Sequence, residues 1–140
     1  MLFRSYYTPY LGLLAEALAV AGHVASGLAA IDEALERAER TEERWCLADL
    51  LRVKGELLLK NADGDYVAAE GCFQNALKVS REQDALSWEL RAALSLSGVR
   101  MAQRRRDDAR NLLAPVYDRF TEGFGTADLK AATALLVTMK

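Results

Sequence analysis

Apolar residues recur through this chain with a helical period. Leu11, Leu14, Ala15 and Leu18 follow the i, i+3, i+4, i+7 spacing of one buried helix face, and Leu28, Ile31, Ala34, Leu35 and Ala38 repeat it. Glu33, Glu36, Arg37 and Arg40 fall on the opposite side, where Glu33–Arg37 and Glu36–Arg40 are i,i+4 pairs of the favourable orientation. Leu47, Leu50, Leu51, Leu57 and Leu58 predict a third helix. Ala69, Phe73, Ala76, Leu77 and Val79 predict a fourth. The breaker Asn61-Ala62-Asp63-Gly64-Asp65 separates these two, with Asp65 placed to cap the second. A fifth helix is expected from about Ser87 to Gln103 and a sixth from near Asp107. A seventh is capped by Thr126, with Leu129, Ala132, Leu136 and Met139 on one side. Pro115 falls inside the sixth, where it removes a donor and clashes with the carbonyl of Asn111, so a kink or broken turn is expected.

The helices pair with a common grammar. Leu14-Ala15-x-x-Leu18 aligns with Lys54-Gly55-x-x-Leu58 and Leu96-Ser97-x-x-Arg100, so the small residues Ala15, Gly55 and Ser97 stand 40 and 42 positions apart. In the second helix of each pair, Gly27, Ile31 and Ala34 align with Ala69, Phe73 and Ala76, then with Ala109, Leu113 and Val116. A helical hairpin recurring about every forty residues signals an α-solenoid. Small residues belong where the two helices of a hairpin touch, because close backbone approach leaves no room for a large side chain. The expected hairpins cover about 4–40, 44–83 and 86–122, with a terminal helix at about 126–139, all in one domain of residues 1–140.

Composition narrows the fold class to all-α. The chain holds 24 Ala and 23 Leu among 140 residues, against nine Val plus Ile and two Pro, which argues against a parallel-sheet enzyme or an all-β domain. Net charge is -2, which argues against nucleic-acid binding through bulk charge. The apolar stretch from Leu11 to Ile31 is interrupted by Glu16, Gly22, His23 and Gly27. It therefore reads as two amphipathic helices joined at Gly22-His23, and neither as a signal peptide nor as a membrane span, which wants about 20 nearly unbroken apolar residues. Cys46 and Cys72 lie 26 apart and His23 is the only histidine, a set without zinc-site spacing. Free thiols in a reducing cytoplasm are expected.

The hairpin grammar resembles the tetratricopeptide repeat: an apolar pair then a small residue in helix A, and small, bulky, small at fixed spacing in helix B. The A and B landmarks stand 12 apart in the first unit (Ala15 to Gly27) and in the third (Ser97 to Ala109). The middle unit has 14 (Gly55 to Ala69), which places two inserted residues in the Asp63-Gly64 turn. The segments Tyr10–Ala17, Gly27–Leu35, Lys54–Leu59, Ala68–Leu77, Ser87–Ala93, Ala109–Tyr117 and Phe120–Leu129 look, in that order, like the C-terminal repeat region of large bacterial signalling proteins. Those proteins carry a class III adenylate/guanylate cyclase domain or a helix-turn-helix regulatory domain, then a predicted NTPase, then these repeats. Where that family often has a Gly-Arg turn, this chain has Arg104-Arg105. The resemblance implies a C-terminal fragment whose parent's chemistry lies elsewhere. No glycine-rich phosphate loop occurs in the chain.

Candidate chemistry within the chain is sparse. His23 has no nearby nucleophile in sequence, and the paired acids Asp32-Glu33 and Asp107-Asp108 belong to helix surfaces or starts, so no catalytic residues, cofactor or metal ligands are assigned. The run Arg104-Arg105-Arg106 reads as a solvated turn with an anion-binding alternative. Phe3, Tyr6, Tyr7 and Tyr10 form an aromatic stripe expected to pack on a preceding segment or a second copy, which makes a homodimer through the apolar N-terminal helix an expectation. Trp45 and Trp88 are expected to anchor hairpin junctions, and Phe120 and Phe124 to staple the last helix to the third hairpin. The repeat grammar puts Glu16, Asp49, Arg52, Glu56, Arg91, Leu94 and Met101 on a concave face of alternating charge with a few apolar spots. Such a face suits a peptide or a neighbouring domain, including the parent's own NTPase. The expected function is a non-catalytic protein-interaction scaffold in the cytoplasm; the alternative is an intramolecular regulatory part coupling an NTPase to a cyclase or transcription-regulator domain.

Overall fold

The structure, a computed structural model of the chain, describes residues 2–41, 44–61 and 64–139, with side chains from residue 8 onward. Among these residues there are seven α-helices and no strand: α1 (Leu2–Val20), α2 (Val24–Arg40), α3 (Leu47–Lys60), α4 (Tyr66–Glu82), α5 (Leu86–Ala102), α6 (Arg106–Asp118) and α7 (Ala127–Thr138), with a 3-10 turn at Arg44–Cys46 leading into α3. The fold is all-α, as expected from composition. Of the Asp63-Gly64 turn expected to hold the two inserted residues, Asp63 lies outside the described residues, as do the side chains of Phe3, Tyr6 and Tyr7.

Three of the interhelix turns are built alike. At the end of α1, His23 N–H donates to the Leu18 carbonyl (2.7 Å) and Gly22 N–H to Ala19 (3.1 Å). After α4, Ala85 donates to Ser80 (2.9 Å) and Asp84 to Arg81 (3.2 Å); after α5, Arg105 donates to Arg100 (2.8 Å) and Arg104 to Met101 (3.0 Å). This 6→1 plus 5→2 pattern is a Schellman turn, which needs a left-handed residue just past the helix end. Gly22 (φ +87°) fills that place without strain, whereas Asp84 (φ +52°) and Arg104 (φ +62°) carry side chains there. Two helices start on side-chain caps. Asp65 Oδ1 accepts from Ala68 N–H at 3.0 Å, and Thr126 Oγ1 accepts from Leu129 N–H at 3.4 Å.

Each helix packs on its sequence neighbours, and the first helices of the hairpins pack on one another as well: α1 on α3, α3 on α5, α5 on α7. The grammar landmarks account for this. Ala15, Gly55 and Ser97 are buried, as are Gly27, Ala69 and Ala109, the bulky Ile31, Phe73 and Leu113, and the closing Ala34, Ala76 and Val116. Gly27 lies close enough to the Ala15 carbonyl that an added Cβ would come within 3.1 Å of its oxygen. Gly55 lies against the Phe73 ring, and Ser97 Oγ donates to the Ala109 carbonyl at 3.3 Å. The apolar interior divides into two clusters. One joins α1, α2 and α3 to Val79; the other runs through α4, α5, α6 and α7. Leu51 packs against both.

Two details differ from expectation or refine it. Of the kink or broken turn expected at Pro115, the broken turn does not occur. Helix α6 runs through it to Asp118, because Pro115 stands in the last turn, where a single missing i→i−4 bond interrupts little of the helix. Trp45 belongs to the 3-10 turn rather than to α3, and its ring stacks on Trp88 with centroids 6.4 Å apart and planes inclined 27°, tying the start of the second hairpin to the start of the third. Phe124 meets Tyr117 of α6 at 5.8 Å, and Phe120 packs on the second core, so both aromatics hold the last connection to the third hairpin.

Candidate functional site

Four of the charged residues expected on the concave face come together, and a fifth joins them. On α3, Asp49 and Arg52 are three apart and so share a face. Arg52 Nε donates to Asp49 Oδ1 at 3.0 Å and its Nη2 to Glu16 Oε1 of α1, also at 3.0 Å. Arg91 stands 42 positions after Asp49, at the equivalent place in the next hairpin, and its Nη1 donates to the same Asp49 oxygen at 3.3 Å. Arg91 Nε pairs with Asp128 Oδ2 of α7 at 3.3 Å. The result is an unbroken ladder, Glu16–Arg52–Asp49–Arg91–Asp128, across α1, α3, α5 and α7.

The ladder is not uniform along its length. The Arg52 side chain is only 13% exposed, whereas the end carboxylates Glu16 and Asp128 are 42% and 41% exposed. Burial opposes the Arg52 charge, but Asp49, Glu16 and Glu56 together outweigh it and hold the guanidinium above its ordinary value. Glu56, one turn beyond Arg52 on α3, joins Glu16 and Arg52 in lining a cleft of about 210 Å³ between α1 and α3. Leu94 and Met101 are not open apolar spots: both are half-buried and pack on the α4–α7 core. Met101 also borders the broad open hollow over the Arg104–Asp108 turn. There Arg105 Nε is engaged by Asp108 Oδ2 at 2.9 Å and its Nη1 by Gln103 Oε1 at 3.3 Å.

Two functional-looking residues escape sequence reading. Asp128 sits in the first turn of α7, where an acid is expected for helix electrostatics alone, so nothing local marks it as a partner of Arg91. Glu89 is likewise a first-turn acid of α5, yet its side chain is 4% exposed. It accepts from Arg81 Nε at 3.1 Å and from Arg119 Nη1 at 2.9 Å, joining the end of α4, the start of α5 and the end of α6. Both roles depend on which helix ends meet in space.

No group of His, Cys, Asp and Glu among the described residues is arranged to hold a metal ion. His23 is exposed in the α1–α2 turn. Cys46 is buried and Cys72 is half-buried. No helix of the described residues is long and apolar enough to cross a membrane. No protein-family model matches the chain, and neither a curated protein nor a solved structure matches it.

Proposed function

We propose that the chain is a non-catalytic protein-interaction module of a bacterial signalling protein, a tetratricopeptide-like α-solenoid acting in the cytoplasm without a cofactor. Its recognition face is the row formed by α1, α3, α5 and α7. The observation that carries this reading is the charge ladder: one face of four non-consecutive helices presents alternating acids and bases at fixed register. The inner pairs hold the row rigid, and the half-exposed carboxylates of Glu16 and Asp128 at its ends offer acceptors to a mixed-charge peptide or neighbouring domain. Affinity capture with the full chain tests it. Arg91→Gln, verified as folded by far-UV circular dichroism, is expected to lose partners that the unaltered chain retains. An unchanged set of partners would overturn the assignment to this face.

A second reading has its own support. Tyr10, Leu13, Ala17 and Val20 form an exposed stripe on α1, at spacings of 3, 4 and 3, pointing away from the core side of Leu11 and Ala15. A contiguous exposed apolar stripe of this kind marks a contact surface. The parent's NTPase domain would cover it in an intramolecular regulatory unit coupled to a cyclase or transcription-regulator domain, and a second copy would cover it in a homodimer. Sedimentation of the chain and of Leu13→Glu distinguishes these: a dimer lost on substitution supports self-association, and a monomer in both cases supports the neighbouring domain.

A further inference from the structure

The row formed by α1, α3, α5 and α7 has acceptors left over and few donors. Its bonds engage one oxygen of each carboxylate: Oε1 of Glu16, Oδ1 of Asp49 and Oδ2 of Asp128. Among the described residues the second oxygen of each remains for another donor, and a carboxylate has several lone-pair sites to offer. The donors are more enclosed. Arg52 is the least exposed member of the ladder and is held between Asp49 and Glu16, while Arg91 is held between Asp49 and Asp128. With Glu56 there are four carboxylates against these two guanidiniums, and Lys60 at the end of α3 still leaves one negative charge in excess.

Glu56 stands apart from the other three acids. Among the described residues it forms no hydrogen bond or ion pair, and it acts on Arg52 through its charge alone. Acids dominate the field around Arg52, since its guanidinium stays above its ordinary value in spite of burial. Glu56 and Glu16 share the cleft of about 210 Å³ between α1 and α3, whose open rim is Ala19, Val20 and Lys60. Val20 is 83% exposed. An unpaired carboxylate beside an exposed valine suits a side chain with an apolar stem and a cationic head, which is the build of lysine and arginine. The rest of the row sets the size of the occupant. Its carboxylates are spread from α1 to α7, three interhelix steps of about 8–10 Å each. Acceptors so far apart are met by cations spaced along about seven to nine extended residues, and not by one small cation.

We infer that the row binds an extended arginine- or lysine-rich segment of a partner protein. One basic side chain enters the α1–α3 cleft, with its stem on Val20 and its head at Glu56 and Glu16, and further basic side chains meet Asp49 and Asp128. The inference rests on the interaction-face reading above and narrows the partner from mixed-charge to basic.

The test uses the full chain and a fluorescein-labelled peptide of repeating Ala-Arg-Ala triplets, read by fluorescence anisotropy, with citrulline in place of arginine as a neutral control of the same shape. In about 0.15 M salt, where exposed charges more than about 8 Å apart are largely screened, the arginine peptide is expected to bind about tenfold or more tighter than the control. Glu56→Lys, verified as folded by far-UV circular dichroism, is expected to weaken it about tenfold or more. Glu33→Lys makes the same change of charge at an exposed position on α2 and should leave the affinity unchanged. Equal binding of the two peptides would overturn the inference. Equal weakening by Glu56→Lys and Glu33→Lys would also overturn it, assigning the binding to bulk charge. Displacement by spermidine at equal concentration of positive charge would do the same in favour of a small polycation. No binding of the arginine peptide, with partners still lost on Arg91→Gln, would remove the basic segment and leave the recognition face standing.

Discussion

Gly55→Ala reports on how closely the helices of a hairpin approach. In an ordinary helix interior, alanine is favoured over glycine by about 0.8–1 kcal/mol. Gly55 is a different case, because a Cβ placed there would lie 2.8 Å from Phe73 Cδ1 and Cζ and closer still to Cε1. Carbon atoms in good contact stand about 3.5–4 Å apart, so the ring or the helix must shift by about 1 Å. Phe73 is fully buried and has nowhere to swing. Overpacking of this kind costs about 1–3 kcal/mol, so the propensity gain is offset at least in full and the net effect should be a loss of up to about 2 kcal/mol. Gly71 and Gly98 supply the controls. Both lie inside helices with nothing within 4 Å of an added Cβ, so Gly71→Ala and Gly98→Ala should each stabilise by about 1 kcal/mol. Urea unfolding followed by circular dichroism measures all three, with midpoints moving in opposite directions at constant slope. A Phe73→Leu change should relieve Gly55→Ala, visible as a favourable coupling in the double-mutant cycle. If Gly55→Ala raised the midpoint as much as Gly71→Ala does, the close contact between α3 and α4 would be refuted.

Other substitutions read other parts of the structure. Glu89→Gln removes the charge that Arg81 and Arg119 share; because both arginines are half-exposed, the loss should be about 1–2 kcal/mol, and an unchanged urea midpoint would contradict the bridging role. Arg104→Gly relieves a left-handed residue in a Schellman turn and should stabilise by about 0.5–1 kcal/mol in thermal unfolding; a destabilised variant would argue against that geometry. Burial pushes the Cys72 thiol above its ordinary value, with Lys54 opposing and Asp32 adding to the shift. The folded state therefore holds this proton more tightly than the unfolded chain does. Its share of stability is complete below the unfolded thiol's titration and is lost as pH rises through the folded one. In a Cys46→Ala background, iodoacetamide should modify Cys72 several-fold more slowly than a free cysteine at pH 8, and the gap should close in urea. Equal rates in the folded state would contradict the shift.

What sequence reading captures here, and what it misses, divides along physical lines. Helix periodicity and small-residue spacing are local signals, and they placed the seven helices, the caps Asp65 and Thr126, and the buried contacts from Ala15 to Val116. Repeat register went one step further, because equivalent positions in successive hairpins become neighbours; Asp49 and Arg91, 42 apart, meet for that reason. Contacts made where helix ends converge leave no periodic trace. Asp128 and Glu89 look like ordinary first-turn acids until α7 closes on α5 and the ends of α4 and α6 close around Glu89. The apolar character of Leu94 and Met101 was legible, but their partial burial against the α4–α7 core was not, since it depends on neighbouring hairpins. The left-handed Asp84 and Arg104 were hidden because no glycine marks them.

In the proposed solenoid the hairpins lie side by side in an open row, with α1 at one end and α7 at the other; among the described residues these two helices share no packed interface. Spin labels at Ala17→Cys and Ala131→Cys, both exposed positions, placed in a Cys46→Ala, Cys72→Ala background, measure that separation directly by double electron–electron resonance. With neighbouring helix axes about 8–10 Å apart and three steps from α1 through α3 and α5 to α7, the row predicts a distance of about 24–30 Å. A distance below about 20 Å, as expected where two helices pack directly, would close the row into a bundle and contradict the account.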